Sequence, residues 1–133
     1  MGLRQVFTAG ICVIALAGPV AAGEFKFTFD WAGLTLCTSG SPNRVPNPAF
    51  RVSGLPAGTT YVQFRLKDLD VPGYNHGGGG VKMSGDGTVP VGVFKYKSPC
   101  PPDGPHLYEW TAIAKTRKGG KTLGTARAQR TYP

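Results

Sequence analysis

The run "TTYVQFRLKD", Thr59 to Asp68, alternates apolar and polar residues: Val62, Phe64 and Leu66 fall on one side, Tyr61, Gln63, Arg65 and Lys67 on the other. Period two is the mark of a β-strand with one buried face, and a chain built on it must cover that face with another sheet. "EFKFTFDW" repeats the pattern, with Phe25, Phe27, Phe29 and Trp31 against Lys26, Thr28 and Asp30. "HLYEWTAIAK" does so again, with Tyr108, Trp110, Ala112 and Ala114 against Leu107, Glu109, Thr111 and Ile113. Shorter strands are predicted at Leu34–Cys37, Phe50–Val52, Val91–Tyr96 and Thr122–Thr131. Beyond the first 22 residues no segment sustains a 3.6-residue period, and most of the 20 Gly and 12 Pro fall between the alternating runs as turn formers. The predicted fold class is therefore all-β, an antiparallel two-sheet β-sandwich with few or no helices. "HGGGG", His76 to Gly80, reads as a turn or as a place where backbone lies close to something else.

Residues 1–22 have a positive start at Arg4, a short apolar core, a breaker at Gly18-Pro19 and a small-residue end, Val20-Ala21-Ala22. That layout predicts a secretory signal peptide, too short in its apolar part for a membrane span, and a periplasmic or secreted protein. Cys12 leaves with the leader. Residues 23–133 suit a single domain. In an oxidising compartment the remaining pair, Cys37 and Cys100, favours a disulfide, with two buried thiols as the alternative. The charge balance, 15 Lys and Arg against 7 Asp and Glu, favours anionic partners or simply solubility.

Two turns hold most of the reactive side chains. The first is "DLDVPGYNHGGGG", Asp68 to Gly80, and the second is "YKSPCPPDGPHLYEW", Tyr96 to Trp110. Continuing the strand of Val62, Phe64 and Leu66 at period two places Asp68 and Asp70 on the same face. His106 falls on the face of Tyr108 and Trp110. Two carboxylates and a histidine over an aromatic floor need donors, cations or a water-filled opening, because burying a charge unpaired is costly. An Asp in a turn before Pro is also a common local cap, so Asp68 has a structural reading beside the functional one.

Other chemistries find less support. No C-x-x-C or H-x-x-x-H spacing indicates zinc, and no metal or other cofactor is expected. "GGKT", Gly119 to Thr122, has Lys115 where a phosphate loop needs its first Gly. The nucleophile elbow G-x-S-x-G is missing, so no catalytic residues are assigned. The basic stretch around Gly119-Gly120 reads as a solvated edge hairpin, and nucleic acid is not an expected partner.

The segments "SPNRVPNPAFRVSGLPAGT", "DLDVP" and "SPCPPDGPHLYEWTAIA" resemble, in order and spacing, the phosphatidylethanolamine-binding protein family, which includes Raf kinase inhibitor-like proteins. The resemblance runs over roughly Cys37 to Ala114. It implies a β-sandwich with a small pocket for an anion or phospholipid headgroup, made by Asp68, Asp70 and Pro72 from the first motif, His76 after it, and Pro105, His106 and Tyr108 from the second. Departures from the family pattern are Leu69 in place of a Pro, Leu107 in place of an Arg, and "HGGGG" in place of an aromatic stretch. The implied function is a non-enzymatic module binding a small anionic or zwitterionic group. The alternative is a protein-interaction module that inhibits a protease or other enzyme.

Overall fold

The computed structural model of the protein describes Gly2, Gly10, residues 23–31 and residues 33–133. The expected leader, with Cys12, lies outside the described residues apart from those two glycines. Nine strands follow in chain order: β1 (Lys26–Thr28), β2 (Arg44–Pro46), β3 (Phe50–Ser53), β4 (Tyr61–Asp68), β5 (Gly78–Lys82), β6 (Gly87–Val89), β7 (Lys95–Lys97), β8 (His106–Lys115) and β9 (Thr122–Tyr132). Among the described residues every regular element is a strand and every pairing is antiparallel, as the alternation requires.

The long strands form a four-stranded sheet in the order β5-β4-β8-β9. Its register sets Val62, Phe64 and Leu66 opposite Ala114, Ala112 and Trp110, so the apolar sides of β4 and β8 share one face. Residues 116–121 close the β8–β9 hairpin, where the Thr116 N–H donates to the Lys121 carbonyl and the Gly120 N–H to the Arg117 carbonyl.

The facing layer is divided into a three-stranded sheet, β1-β3-β6, and a two-stranded ribbon, β2-β7. The division falls at Pro46-Asn47-Pro48, where neither proline can donate to a ladder. Fully buried Asn47 takes over the hydrogen bonding: its Oδ1 accepts the Phe94 N–H, and its amide donates to the carbonyls of Pro48 and Pro90. Aromatic rings fill the space between layers. Phe50 stacks on Phe64 with centroids 4.2 Å apart, Phe27 meets both edge-on, and Tyr96 of the ribbon meets Trp110 at 4.9 Å. Each such burial contributes about 1.5–3 kcal/mol.

Two strand expectations need correction, and the "HGGGG" reading divides between its glycines. Residues 34–37 are not a strand, because the Cys37 N–H donates to the Tyr132 hydroxyl instead of a neighbouring strand. In 91–96 only the end pairs: Val91 and Val93 are exposed and Gly92 turns the chain with φ of 83°. Of the glycines of "HGGGG" only Gly77 turns the chain. Gly78–Gly80 belong to β5, paired with Arg65, Gln63 and the residue between them, while the turn sits at Gly77 with φ of 73°. The close-approach reading of this run holds, since a Cβ on Gly79 would lie 2.4 Å from Phe94 Cγ and one on Gly80 would meet the Tyr61 hydroxyl. The short strands β2 and β6 had no alternation long enough to mark them.

Candidate functional site

Strand β4 ends at Asp68 because that residue's own side chain turns the chain. Its Oδ1 accepts the N–H groups of Asp70 and Val71 at 2.9 and 3.2 Å, an Asx turn. Asp70 consequently leaves the buried face on which a regular strand would have kept it, and it is exposed. It reaches across to the start of β8 instead, where its Oδ2 accepts the Leu107 N–H at 2.7 Å. A second bond, Leu69 N–H to the Leu107 carbonyl at 2.8 Å, fastens the same two turns together.

The juncture brings His106 Nδ1 to 2.6 Å from Asp68 Oδ2. A carboxylate accepts, so Nδ1 carries the proton, and Nε2 is the nitrogen left for a ligand. Asp68 is 4% exposed. Burial raises its pKa, but the hydrogen bonds from His106, Asp70 and Val71 and the attraction of His106 outweigh that and hold the carboxyl below its ordinary value. Tyr108, two residues along β8, is pushed well above the usual phenol range, first by burial and then by the Asp68 charge, so its hydroxyl stays neutral. His76 is also buried, and its Nδ1 donates to the Lys97 carbonyl at 2.7 Å. Burial lowers its pKa, which keeps the ring neutral with Nε2 as acceptor.

Asp68, His76, His106 and Tyr108 line one cleft of about 160 Å³. Its other walls are mainly apolar: Val71 and Tyr74 on one side, Pro42, Pro101 and Pro102 on the other. The second wall is pinned by the Cys37–Cys100 disulfide, which spans 63 positions, and by the Gly40 N–H donating to the Cys100 carbonyl. The paired reading of the two cysteines is the correct one, and the thiol alternative is excluded. Three resemblance-derived residues stand outside the cleft. Asp70 acts as the clamp described above, Pro72 lines a neighbouring groove with Arg65 and Lys67, and Pro105 is exposed in the turn before β8. Sequence reasoning missed the apolar walls. The proline density of "SPCPPDGP" was the available signal for one of them.

Ligand atoms of Asp68, Asp70 and His106 lie within 4.8 Å of one another, close enough to surround a cation. His106 Nδ1, both Asp68 oxygens and Asp70 Oδ2 already have hydrogen-bond partners, which a cation at those atoms would have to displace. The cleft instead presents His106 Nε2, which accepts a hydrogen bond when the ring is neutral and donates one when it is an imidazolium, beside the neutral Tyr108 hydroxyl that bonds to Asp68.

Neither the protein-family models nor the curated proteins contain a match to this chain. Solved structures do. One is a phosphatidylethanolamine-binding protein homologue, CT736 of Chlamydia trachomatis D/UW-3/CX, with a TM-score of 0.57 and 17% identity over 82% of this chain and 97% of that one. Another is E. coli YbcL, described as a member of the mammalian PEBP family, with a TM-score of 0.59 and 20% identity over 83% and 98%. The fold is that of the phosphatidylethanolamine-binding proteins. In this version of the PEBP fold the two motif turns meet at the ends of β4 and β8, as the resemblance implied.

Proposed function

We propose that the protein is an exported, non-enzymatic binding module whose cleft takes a small zwitterionic or anionic group such as a phospholipid headgroup. The observation that carries this reading is the His106–Asp68 pair at 2.6 Å in a cleft with apolar walls. With Nδ1–H held by Asp68, His106 reaches an anionic oxygen through Nε2–H when its ring is the imidazolium, and the Tyr108 hydroxyl, bonded to Asp68, helps to fix the pair. An ionised Asp68 alone would repel a phosphate. The carboxylates therefore serve the amine end of a zwitterion, and exposed Asp70, within 4.8 Å of the pair, is the more accessible of the two. Val71, Tyr74 and the prolines exclude water and strengthen these contacts. Export is supported by the disulfide, a bond that persists in oxidising compartments.

Calorimetric titration of phosphoethanolamine and of inorganic phosphate into wild type, His106→Ala and Asp70→Ala tests the reading. His106→Ala weakens both ligands, whereas Asp70→Ala weakens phosphoethanolamine more than phosphate. Unchanged affinities in both variants, with the fold intact by circular dichroism, would refute the assignment.

A further inference from the structure

His76 also walls a second concavity, of about 150 Å³, whose lining includes Arg44, Lys95, Lys97 and the backbone of Gly78 but no Asp or Glu. The β2-β7 register sets Arg44 directly opposite Lys97 and Pro46 opposite Lys95, so the three cations project from one face of the ribbon. All three are exposed. Like charges directly opposite one another destabilise a strand pair, and a two-stranded ribbon has little stability to spare. No carboxylate relieves them: among the described residues the ion pairs are His106–Asp68 and Arg127–Glu109. The Lys97 ammonium lies instead over the Tyr74 ring, 5.6 Å from its centre.

The neighbouring edge strand adds a donor. Bonds from Leu66 N–H to the Gly77 carbonyl and from Met83 N–H to the Thr60 carbonyl fix which residues of β5 bond to β4. Gly78, opposite Arg65, falls in the other class, so its N–H points away from β4.

We propose that this pocket is a second anion site, separate from the Asp68–His106 cleft, which takes a phosphate group between Arg44, Lys95 and Lys97 with the Gly78 N–H as an additional donor. A bound dianion removes the repulsion that the empty ribbon carries, so occupancy stabilises β2-β7 as well as the ligand.

The test is an ¹⁵N NMR titration with inorganic phosphate at constant ionic strength, on wild type, a Lys95→Gln/Lys97→Gln double variant and His106→Ala. Wild type shows saturable shifts at the Gly78 and Lys97 amides. The double variant loses affinity about tenfold at the Gly78 amide, since each cation contributes comparably to an exposed contact, and without phosphate it melts higher than wild type. In His106→Ala the Gly78 response persists even where the Val71 amide, in the cleft wall, no longer responds. A parallel titration with phosphatidate vesicles identifies the source: saturation by both assigns a lipid phosphate, saturation by inorganic phosphate alone assigns the free ion. A linear, unsaturated drift at Gly78, an unchanged affinity in the double variant, or loss of the Gly78 response in His106→Ala would each overturn the proposal.

Discussion

Asp68 performs two structural tasks with two oxygens, and substitutions separate them. Asp68→Ala removes the acceptor for the His106 Nδ1–H and for the amides of Asp70 and Val71. Val71 keeps a partner, because its N–H also reaches the Asp68 backbone carbonyl at 3.3 Å. The Asp70 amide and His106 do not. One orphaned backbone donor costs about 1–3 kcal/mol and a lost charge-assisted bond about 1.5–3 kcal/mol, so Asp68→Ala should lower stability by about 3–5 kcal/mol. Asp68→Asn keeps an oxygen for the turn but sets its NH2 against the His106 Nδ1, which must change tautomer, so it loses the charge-assisted bond alone, at about 1.5–3 kcal/mol. Urea denaturation at pH 7 measures both. The Asp68 carboxyl titrates below its ordinary value in the folded chain, so as pH falls the unfolded chain takes the proton first. Its stabilisation is complete above about pH 4 and is lost as pH drops through the folded pKa. The gap between wild type and Asp68→Asn therefore closes in acid. His76 adds an earlier loss common to all three proteins: its folded pKa is depressed, so stability falls as pH drops below about 6.5. Equal costs for Ala and Asn, or a gap that stays constant below pH 4, would refute the two-oxygen account.

Replacing both Cys37 and Cys100 by Ser should cost about 4 kcal/mol by the loop-closure relation for 63 positions, read from urea midpoints against the oxidised protein. A loss under 1 kcal/mol would show that the cross-link adds little. Gly79→Ala should destabilise by about 1–3 kcal/mol because the new methyl falls 2.4 Å from Phe94 Cγ, and pairing it with Phe94→Ala should make the two costs non-additive in thermal melts.

Where one physical rule governed a long run, the sequence was readable. The alternation in 59–68 and 106–115 located both central strands, β4 starting two residues later at Tyr61, and with them the faces that bear Phe64, Leu66, Tyr108 and Trp110. The edges of the layers were less legible because other interactions override period two there. Asp68 caps its own strand and swings Asp70 out, a choice that depends on two amides lying within reach of one carboxylate. Asn47 substitutes a side chain for a ladder, and nothing in "PNP" distinguishes that from an ordinary turn. The glycines of β5 contradict strand propensity. They are required by Phe94 and the Tyr61 hydroxyl, neighbours distant in sequence that period two cannot reveal. At the site, the resemblance identified the four polar cleft residues, but it said nothing about the apolar walls that Val71, Tyr74 and the prolines provide.

The two tryptophans are placed so that the protein carries its own pair of optical reporters. Trp110 has no solvent exposure, its indole N–H finds no hydrogen-bond partner, and its surroundings are the rings of Phe50, Phe94 and Tyr96. Its emission belongs to a dry environment and reports only on the integrity of the sandwich. Trp31 donates to the Thr131 carbonyl and meets Tyr108, a cleft residue, edge-on at 5.9 Å. Because Trp31 touches both the core and a cleft ring, its fluorescence is expected to change on occupancy of the cleft while that of Trp110 changes only when the sandwich unfolds.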